Sequence, residues 1–290
     1  MTRMSTWPVI AAALLGSMVL TRFAANEEFD PLPRSRPSGP GAPSPPGEPS
    51  QRLAASRWIR RNHAGRDVSL LEGVWVVTGA GLPLLVLDPG AATVALGAGF
   101  TGAYDDLHPD AARKGLRGHL GALRRGEVSP GTLKIVGLCS TAVAGSLVSG
   151  RRNVIDIALD TALVAGSANM ANLFDLRPGR CLKVVIAMGV PLAGGGFGAR
   201  GAAAAAGVGA SVMVLPADLK GWTMLGDTGA NALGALLGHS AAGGTRFFRL
   251  AALVVLTAGT LLSERVSFST VIDNNPFLHA IDQWGRVSAP

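Results

Sequence analysis

Charged side chains are scarce in this 290-residue chain. Asp, Glu, Lys and Arg make up 16% of it, against about 25% in typical soluble domains, and that shortage disfavours an ordinary soluble protein. Aromatic residues number only 15, with a single tyrosine. The basic residues fall between apolar runs, so the net charge of +7 comes without the basic stripe and stacking partners of a nucleic-acid binder, and no nucleic-acid partner is expected. Two cysteines, Cys139 and Cys181, stand far apart with no CxxC pair and no histidine cluster beside them. A disulfide framework and a zinc site are both excluded, and the five histidines show no metal-ligand spacing.

What the chain does have is apolar length and small residues. Hydrophobic residues make up 48% of it, and 39 glycines occur without a Gly-X-Y period, so glycine here serves close packing. Uncharged stretches run over Met4–Thr21, Val74–Leu87, Pro89–Tyr104, Ile135–Gly150, Thr161–Phe174, Val184–Ala199, Gly201–Ala217, Thr228–Thr245 and Leu250–Ser263. A soluble helix keeps a polar face, whereas these runs carry no charge on any face for about four turns. The expectation is an all-α, polytopic membrane protein with about nine transmembrane helices, each extended by flanking polar residues toward the ~20 residues that a span requires.

With the N-terminus placed outside, the loops that alternate to the inside hold 20 Lys and Arg and the opposite loops hold 6. The excess of basic residues in cytoplasmic loops fixes that orientation in the plasma (inner) membrane. A cleaved signal peptide is the plainer reading of the first stretch, and the same charge distribution argues against it. The expected organisation is a first transmembrane helix over 1–25, a Pro-rich disordered cytoplasmic loop over 26–56, a membrane core over 57–263 and a cytoplasmic tail over 264–290. Residues 31–50 contain eight prolines and three glycines, a polyproline-like composition. Residues 51–66 read either as a basic helix on the inner leaflet, anchored by Leu53 and Trp58, or as a solvated basic loop.

Three acidic motifs fall at the ends of stretches that the charge count brings to the cytoplasmic side: YDDLHPDAARKGLRGH, NMANLFD and MLGDTGAN. Asp105, Asp106, Asp175 and Asp227 offer hard oxygen ligands for Mg2+ and a base, as phosphoryl transfer requires. Lys114, Arg117, Lys134, Arg177, Arg180 and Lys183 offer positive charge to hold phosphates. A lone aspartate is more often a helix cap, but three motifs converging on one side favour a site. The start of the helix at Gly226–Gly229 favours a phosphate or carboxylate through its N–H groups. Asn169, Asn172 and Asp175 form a stripe that reads as hydrogen-bonding partners of a base or ribose, or as polar contacts between helices. Asp156 and Asp160 share a face near the outer end of their span, where pairing with Arg151 and Arg152 is the preferred reading. The Gly234-x-x-x-Gly238 pair reads as close helix packing.

With these residues assembled, the stretch from about 60 to 240 resembles the polyprenyl-phosphate N-acetylhexosamine-1-phosphate transferase superfamily, which includes phospho-N-acetylmuramoyl-pentapeptide transferase and the N-acetylglucosamine-1-phosphate transferases. YDDLHPDAARKG looks like its Asp-Asp signature, NMANLFDLRPGR like its Asn-x-x-Asn-x-x-Asp stretch, and MLGDTGANALGALLG like its Gly-Asp-x-Gly signature. The resemblance implies Mg2+-dependent transfer of a sugar-1-phosphate from a UDP-sugar to undecaprenyl phosphate, with release of UMP, in cell-envelope glycan synthesis. It implies Asp227 as the Mg2+ ligand and Asp105 and Asp106 as catalytic residues that activate the lipid phosphate or arrange metal and diphosphate. Asn169, Asn172 and Asp175 would face the metal and nucleotide, and Lys114, Lys134 and Arg177 the substrate phosphates. Membrane lipid is an implied partner, and dimers in the family imply a homodimer. The chain departs from the pattern at Pro178, where LRPGR replaces an Asp-containing run, in the loose match of NHAGRDVSLLEGV, and in the missing histidine-rich loop. These departures make a catalytically degenerate member, binding a lipid carrier or an envelope partner, the alternative. A transporter is the third reading.

Overall fold

The computed structural model describes residues 7–26, 57–62, 65–108, 130–194 and 200–286. Among the described residues, nine helices of 15 to 21 residues coincide with the uncharged stretches: α1 (Trp7–Asn26), α2 (Leu71–Leu87), α3 (Pro89–Leu107), α4 (Pro130–Val148), α5 (Val154–Phe174), α6 (Arg180–Gly194), α7 (Gly201–Leu219), α8 (Gly226–Ala241) and α9 (Arg246–Ser263). Four helical segments among the described residues are long and apolar enough to cross a membrane: Gly131–Val148, Val154–Phe174, Gly201–Leu219 and Arg246–Ser263.

Local chemistry sets several boundaries. Asp88 accepts the Ala91 N–H at 3.0 Å and Pro89 occupies the first turn, so the chain leaves α2 and enters α3 with no intervening loop. Asn153 caps α5 by accepting the N–H groups of Ile155 and Asp156, and the Thr245 hydroxyl caps α9 at Phe248. Helix α8 is the hub. It packs against α2, α3, α5, α6 and α7, and nearly every residue on it is buried.

Glycine brings the hub's neighbours to backbone contact. A methyl group on Gly234 would lie 2.4 Å from the Ser167 carbonyl oxygen and one on Gly238 2.5 Å from that of Leu163, so α8 lies directly on α5, as the GxxxG spacing predicts. On the other side, a methyl on Gly102 of α3 would lie 2.2 Å from the Asp227 carbonyl oxygen. Helix α9 sits at the periphery, packed mainly on α5.

Several expectations change or gain detail. The chain is not purely helical: Ile59–Arg61 (β1) and Asp67–Ser69 (β2) form an antiparallel hairpin in the register Ile59↔Ser69, Arg60↔Val68, Arg61↔Asp67. The described part of the basic segment is therefore a hairpin rather than an inner-leaflet helix, because Asn62 and Arg66 close a turn between the strands. The segment after Ser263 folds into two further helices, α10 (Phe268–Asn274) and α11 (Pro276–Gln283), docked on the loop before α6. Arg152 does not pair with Asp156 or Asp160 but donates to the carbonyls of Leu147 and Arg151. Asp160 instead receives Arg151 and Arg200 at 3.1 Å and Arg249 at 2.7 Å, and Asp156 also receives Arg249 at 2.7 Å. Arginines from distant helix starts complete the pairing, which sequence proximity could not reveal. Asp88 and the buried His239 lie 3.3 Å apart nearby. The Pro-rich segment, Leu53, Lys114 and Arg117 lie outside the described residues.

Candidate functional site

The end of α3, the start of α4 and the start of α8 meet at one point. Asp105 and Asp106 close α3, Lys134 stands in the first turns of α4, and Asp227 is the second residue of α8. Lys134 Nζ lies 3.2 Å from Asp105 Oδ2 and 2.5 Å from Asp227 Oδ2, so two carboxylates that are 122 residues apart in the chain converge on one cation.

Asp106 does something else. Its carboxylate accepts the Asp227 N–H at 3.1 Å, the Thr228 N–H at 2.9 Å and the Thr228 hydroxyl at 2.6 Å. The free N–H groups that open a helix attract an anion, and here the protein supplies one from α3. Gly226 permits this approach: its φ is +60°, and a Cβ there would lie 2.8 Å from Asp106 Oδ2. The Arg60 guanidinium, carried by β1, donates to the Asp106 main-chain carbonyl.

Around this point lies a cavity of about 790 Å3. Asp105, Asp106, Lys134 and Asp227 line its polar end with Arg60 and Arg61. Asn169, Asn172 and Asp175 line it from α5, and Ile135, Leu138, Ala165 and Leu173 give it an apolar wall. Asn169 Nδ2 also reaches Thr260 Oγ1 at 3.4 Å, so this asparagine has a contact between helices as well. Arg177 is not on this wall; with Pro178 it lines a separate pocket of about 30 Å3 beyond Asp175. Arg180 and Lys183 are committed to the C-terminal helices, Arg180 to Asp282 and Lys183 to the carbonyls of Ile281 and Asp282.

The electrostatics of the site are those of crowded acids. Asp105 and Asp227 crowd the single ammonium group of Lys134. Burial holds Asp175, just beyond the end of α5, well above the usual carboxylate range, reinforced by the charges of Asp218, Asp227 and Asp106. A cation arriving here relieves that repulsion.

Among the described residues, no three His, Cys, Asp or Glu side chains are grouped so as to hold a metal ion by themselves. Mg2+ does not ask for that: it binds through one or two carboxylates, keeps several waters and takes the rest from substrate phosphates. Asp105 and Asp227, which already share an ammonium group, fit that requirement.

No protein-family model matches the chain, and no curated protein matches it.

Sequence reasoning missed Arg60, Arg61, Thr260, Ser263 and Glu264 as lining residues, and it read the helix start at Gly226–Gly229 as a place for a phosphate or carboxylate, which Asp106 takes. Only Asp67–Val68–Ser69 alternates polar and apolar residues, so the hairpin left little local signal. The role of Thr228 depends on a crossing of α3 and α8 that no local pattern announces.

Proposed function

We propose that this protein is a multi-pass plasma-membrane transferase in which α1–α9 span the bilayer with the N-terminus outside and the cavity facing the cytoplasm. It moves a sugar-1-phosphate from a UDP-(N-acetyl)hexosamine to undecaprenyl phosphate and releases UMP. The observation that carries this reading is the convergence of Asp105 and Asp227 on one cation at the polar end of a cavity whose other wall is apolar. A soluble diphosphate and a lipid-borne phosphate need such a place to meet.

The chemistry follows from the residues. An oxygen of the lipid phosphate attacks the β-phosphorus of the nucleotide sugar, the bond from that phosphorus to the bridging oxygen breaks, and UMP leaves with the bond's electrons. Asp105 and Asp227 would hold Mg2+, which when bound neutralises charge on the diphosphate. Lys134, displaced from the carboxylates, is placed to meet a phosphate oxygen. Asp106 keeps the first turn of α8 in position, so that Asp227 is held by backbone rather than by a free loop. Asn169 and Asn172 offer amides to the nucleotide or sugar. Catalysis of this kind is placement and electrostatics.

A second reading, a non-catalytic protein of the same architecture that binds a lipid carrier or an envelope partner, is favoured by one observation. Arg180, in the basic run around Pro178, is spent on the C-terminal helices through Asp282 and Ser269. UMP release separates the two. Purified protein incubated with undecaprenyl phosphate, Mg2+ and a panel of UDP-sugars is expected to release UMP in a lipid- and metal-dependent way that Asp227→Asn abolishes. No release from any UDP-sugar by folded, lipid-binding protein would select the second reading.

A further inference from the structure

Helix α11 is docked inside out. Its acidic residue, Asp282, is only 5% exposed and receives Arg180 through Nε at 2.7 Å and Nη2 at 3.0 Å. Arg286 reaches the same carboxylate at 2.7 Å and donates through Nε to the Pro178 carbonyl at 2.9 Å. Lys183 donates to the Ile281 and Asp282 carbonyls at 3.0 and 2.8 Å, and Arg180 Nη1 to Ser269 at 2.8 Å. The polar side of the segment is thus bound to the loop that follows Asp175.

The apolar side is left outward. Phe277, Ile281 and Trp284 follow one another at helical spacing, and Phe277 and Trp284 are 72% and 75% exposed. A surface helix of a soluble protein turns such a stripe to the core. Here the ion pairs fix the opposite orientation.

We propose that α10 and α11 form a strap seated in the membrane–water interface, with the headgroups and upper acyl chains of an anionic bilayer as the partner of its outward face. The inference rests on the membrane reading of α1–α9. Three observations select a bilayer over another protein. Only four residues, 264–267, separate the strap from the end of α9, a helix long and apolar enough to cross a membrane. Trp concentrates at the headgroup level of membrane proteins, where the exposed Trp284 would sit. Arg177, beside Pro178, and the exposed Arg265, just before α10, add positive charge next to the strap, which attracts anionic headgroups. Because Arg286 and Arg180 connect the strap to Pro178 and the turn after Asp175, seating it in the interface also fixes one wall of the site.

Spin-label accessibility tests this in proteoliposomes of phosphatidylethanolamine and phosphatidylglycerol. The full chain carries Cys139→Ala and Cys181→Ala, with single labels introduced by Phe277→Cys, Ile281→Cys, His279→Cys and Val255→Cys. All four positions are exposed or half-exposed, so the labels leave packing intact. The ratio of oxygen to nickel-chelate accessibility is expected to be several-fold higher at 277 and 281 than at 279, and high at 255 on α9. A ratio at 277 and 281 equal to that at 279, with 255 still lipid-exposed, overturns the strap and leaves the membrane reading standing. Shielding of 277 and 281 from both reagents also overturns it, by pointing to a protein partner. Free chelate access at 255 defeats the membrane reading itself, and the strap with it.

Discussion

The Asp106 carboxylate caps α8 in its first turn, taking the Thr228 hydroxyl at 2.6 Å and its N–H at 2.9 Å across 122 residues of chain. Of the two adjacent aspartates that end α3, one therefore builds the site and the other faces the cation. Asp106→Ala removes the acceptor from buried N–H groups and is expected to cost about 1–2 kcal/mol, while Asp106→Asn keeps one acceptor oxygen and costs less. Asp105→Asn is expected to leave the melting temperature nearly unchanged and to abolish UMP release. Thermal unfolding beside activity separates the two roles; equal melting temperatures for Asp105→Asn and Asp106→Ala would refute the assignment.

Lys134 competes with a metal for Asp105 and Asp227. Replacing it by methionine keeps the chain length and removes the ammonium, leaving two carboxylates to attract a divalent cation without a rival. The Mg2+ concentration that gives half-maximal thermal stabilisation is expected to fall several-fold in Lys134→Met, while the transfer rate falls because a phosphate loses its partner. An unchanged midpoint would mean that Mg2+ binds elsewhere.

Close approach of α3 to α8 has no slack at Gly102, where a methyl group would lie 2.2 Å from the Asp227 carbonyl oxygen. Backbone cannot yield as a flexible side chain can, so Gly102→Ala is expected to destabilise by about 1–3 kcal/mol and to abolish activity by moving Asp227. Gly207 is the control. A methyl there meets Leu233 and Leu236 at 3.6 and 3.7 Å, ordinary contact, so Gly207→Ala is expected to gain up to about 1 kcal/mol from its helix position. Differential scanning fluorimetry on the pair gives opposite signs if the reading holds.

The legible part of this chain was whatever depended on local pattern. Charge-free runs became nine helices, and Asp88–Pro89, Asn153 and Thr245 start helices as their chemistry dictates. Asp105 and Asp227, each at the end of a charge-free run, meet on Lys134. What stayed hidden depended on crossings and on inverted burial. Asp106 finds Thr228 only because Gly102 lets two helices touch. Arg249 and Arg200 reach Asp160 from helix starts dozens of residues away, where the nearer Arg152 looked the natural partner. The C-terminal segment read as a tail because its polar residues face the protein, against the usual amphipathic sense.

Asp160 is 1% exposed and holds three guanidinium groups, whereas Asp156 is partly exposed and shares one of them. Removing one partner of a buried ionic group strands the others, at about 3–5 kcal/mol. Asp160→Leu is accordingly expected to lose most folded protein, and Asp156→Asn to fold and retain transfer activity. A transporter that used Asp156 in a pathway would lose function in Asp156→Asn while remaining folded. Yield of monodisperse protein together with UMP release decides between them.

The strap makes a pH prediction whose direction follows from Asp282. Burial alone would raise its carboxyl, but the hydrogen bond from Arg180 and the charges of Arg286 and Arg180 outweigh it and hold the group below its ordinary value of 3.8. A group depressed on folding adds stability above its unfolded value and loses it as pH falls through the folded one. The contribution of Asp282 to docking of α10 and α11 is therefore expected to be constant from pH 8 to 5 and to weaken only below about 3.8. The mobility of a label introduced by Ile281→Cys reports it: a flat line across the neutral range, then a rise in acid. In Asp282→Asn the neutral amide cannot replace the charge between two arginines, so the label should be mobile at every pH. Release of the wild-type strap between pH 5 and 8 would show that some group other than Asp282 holds it.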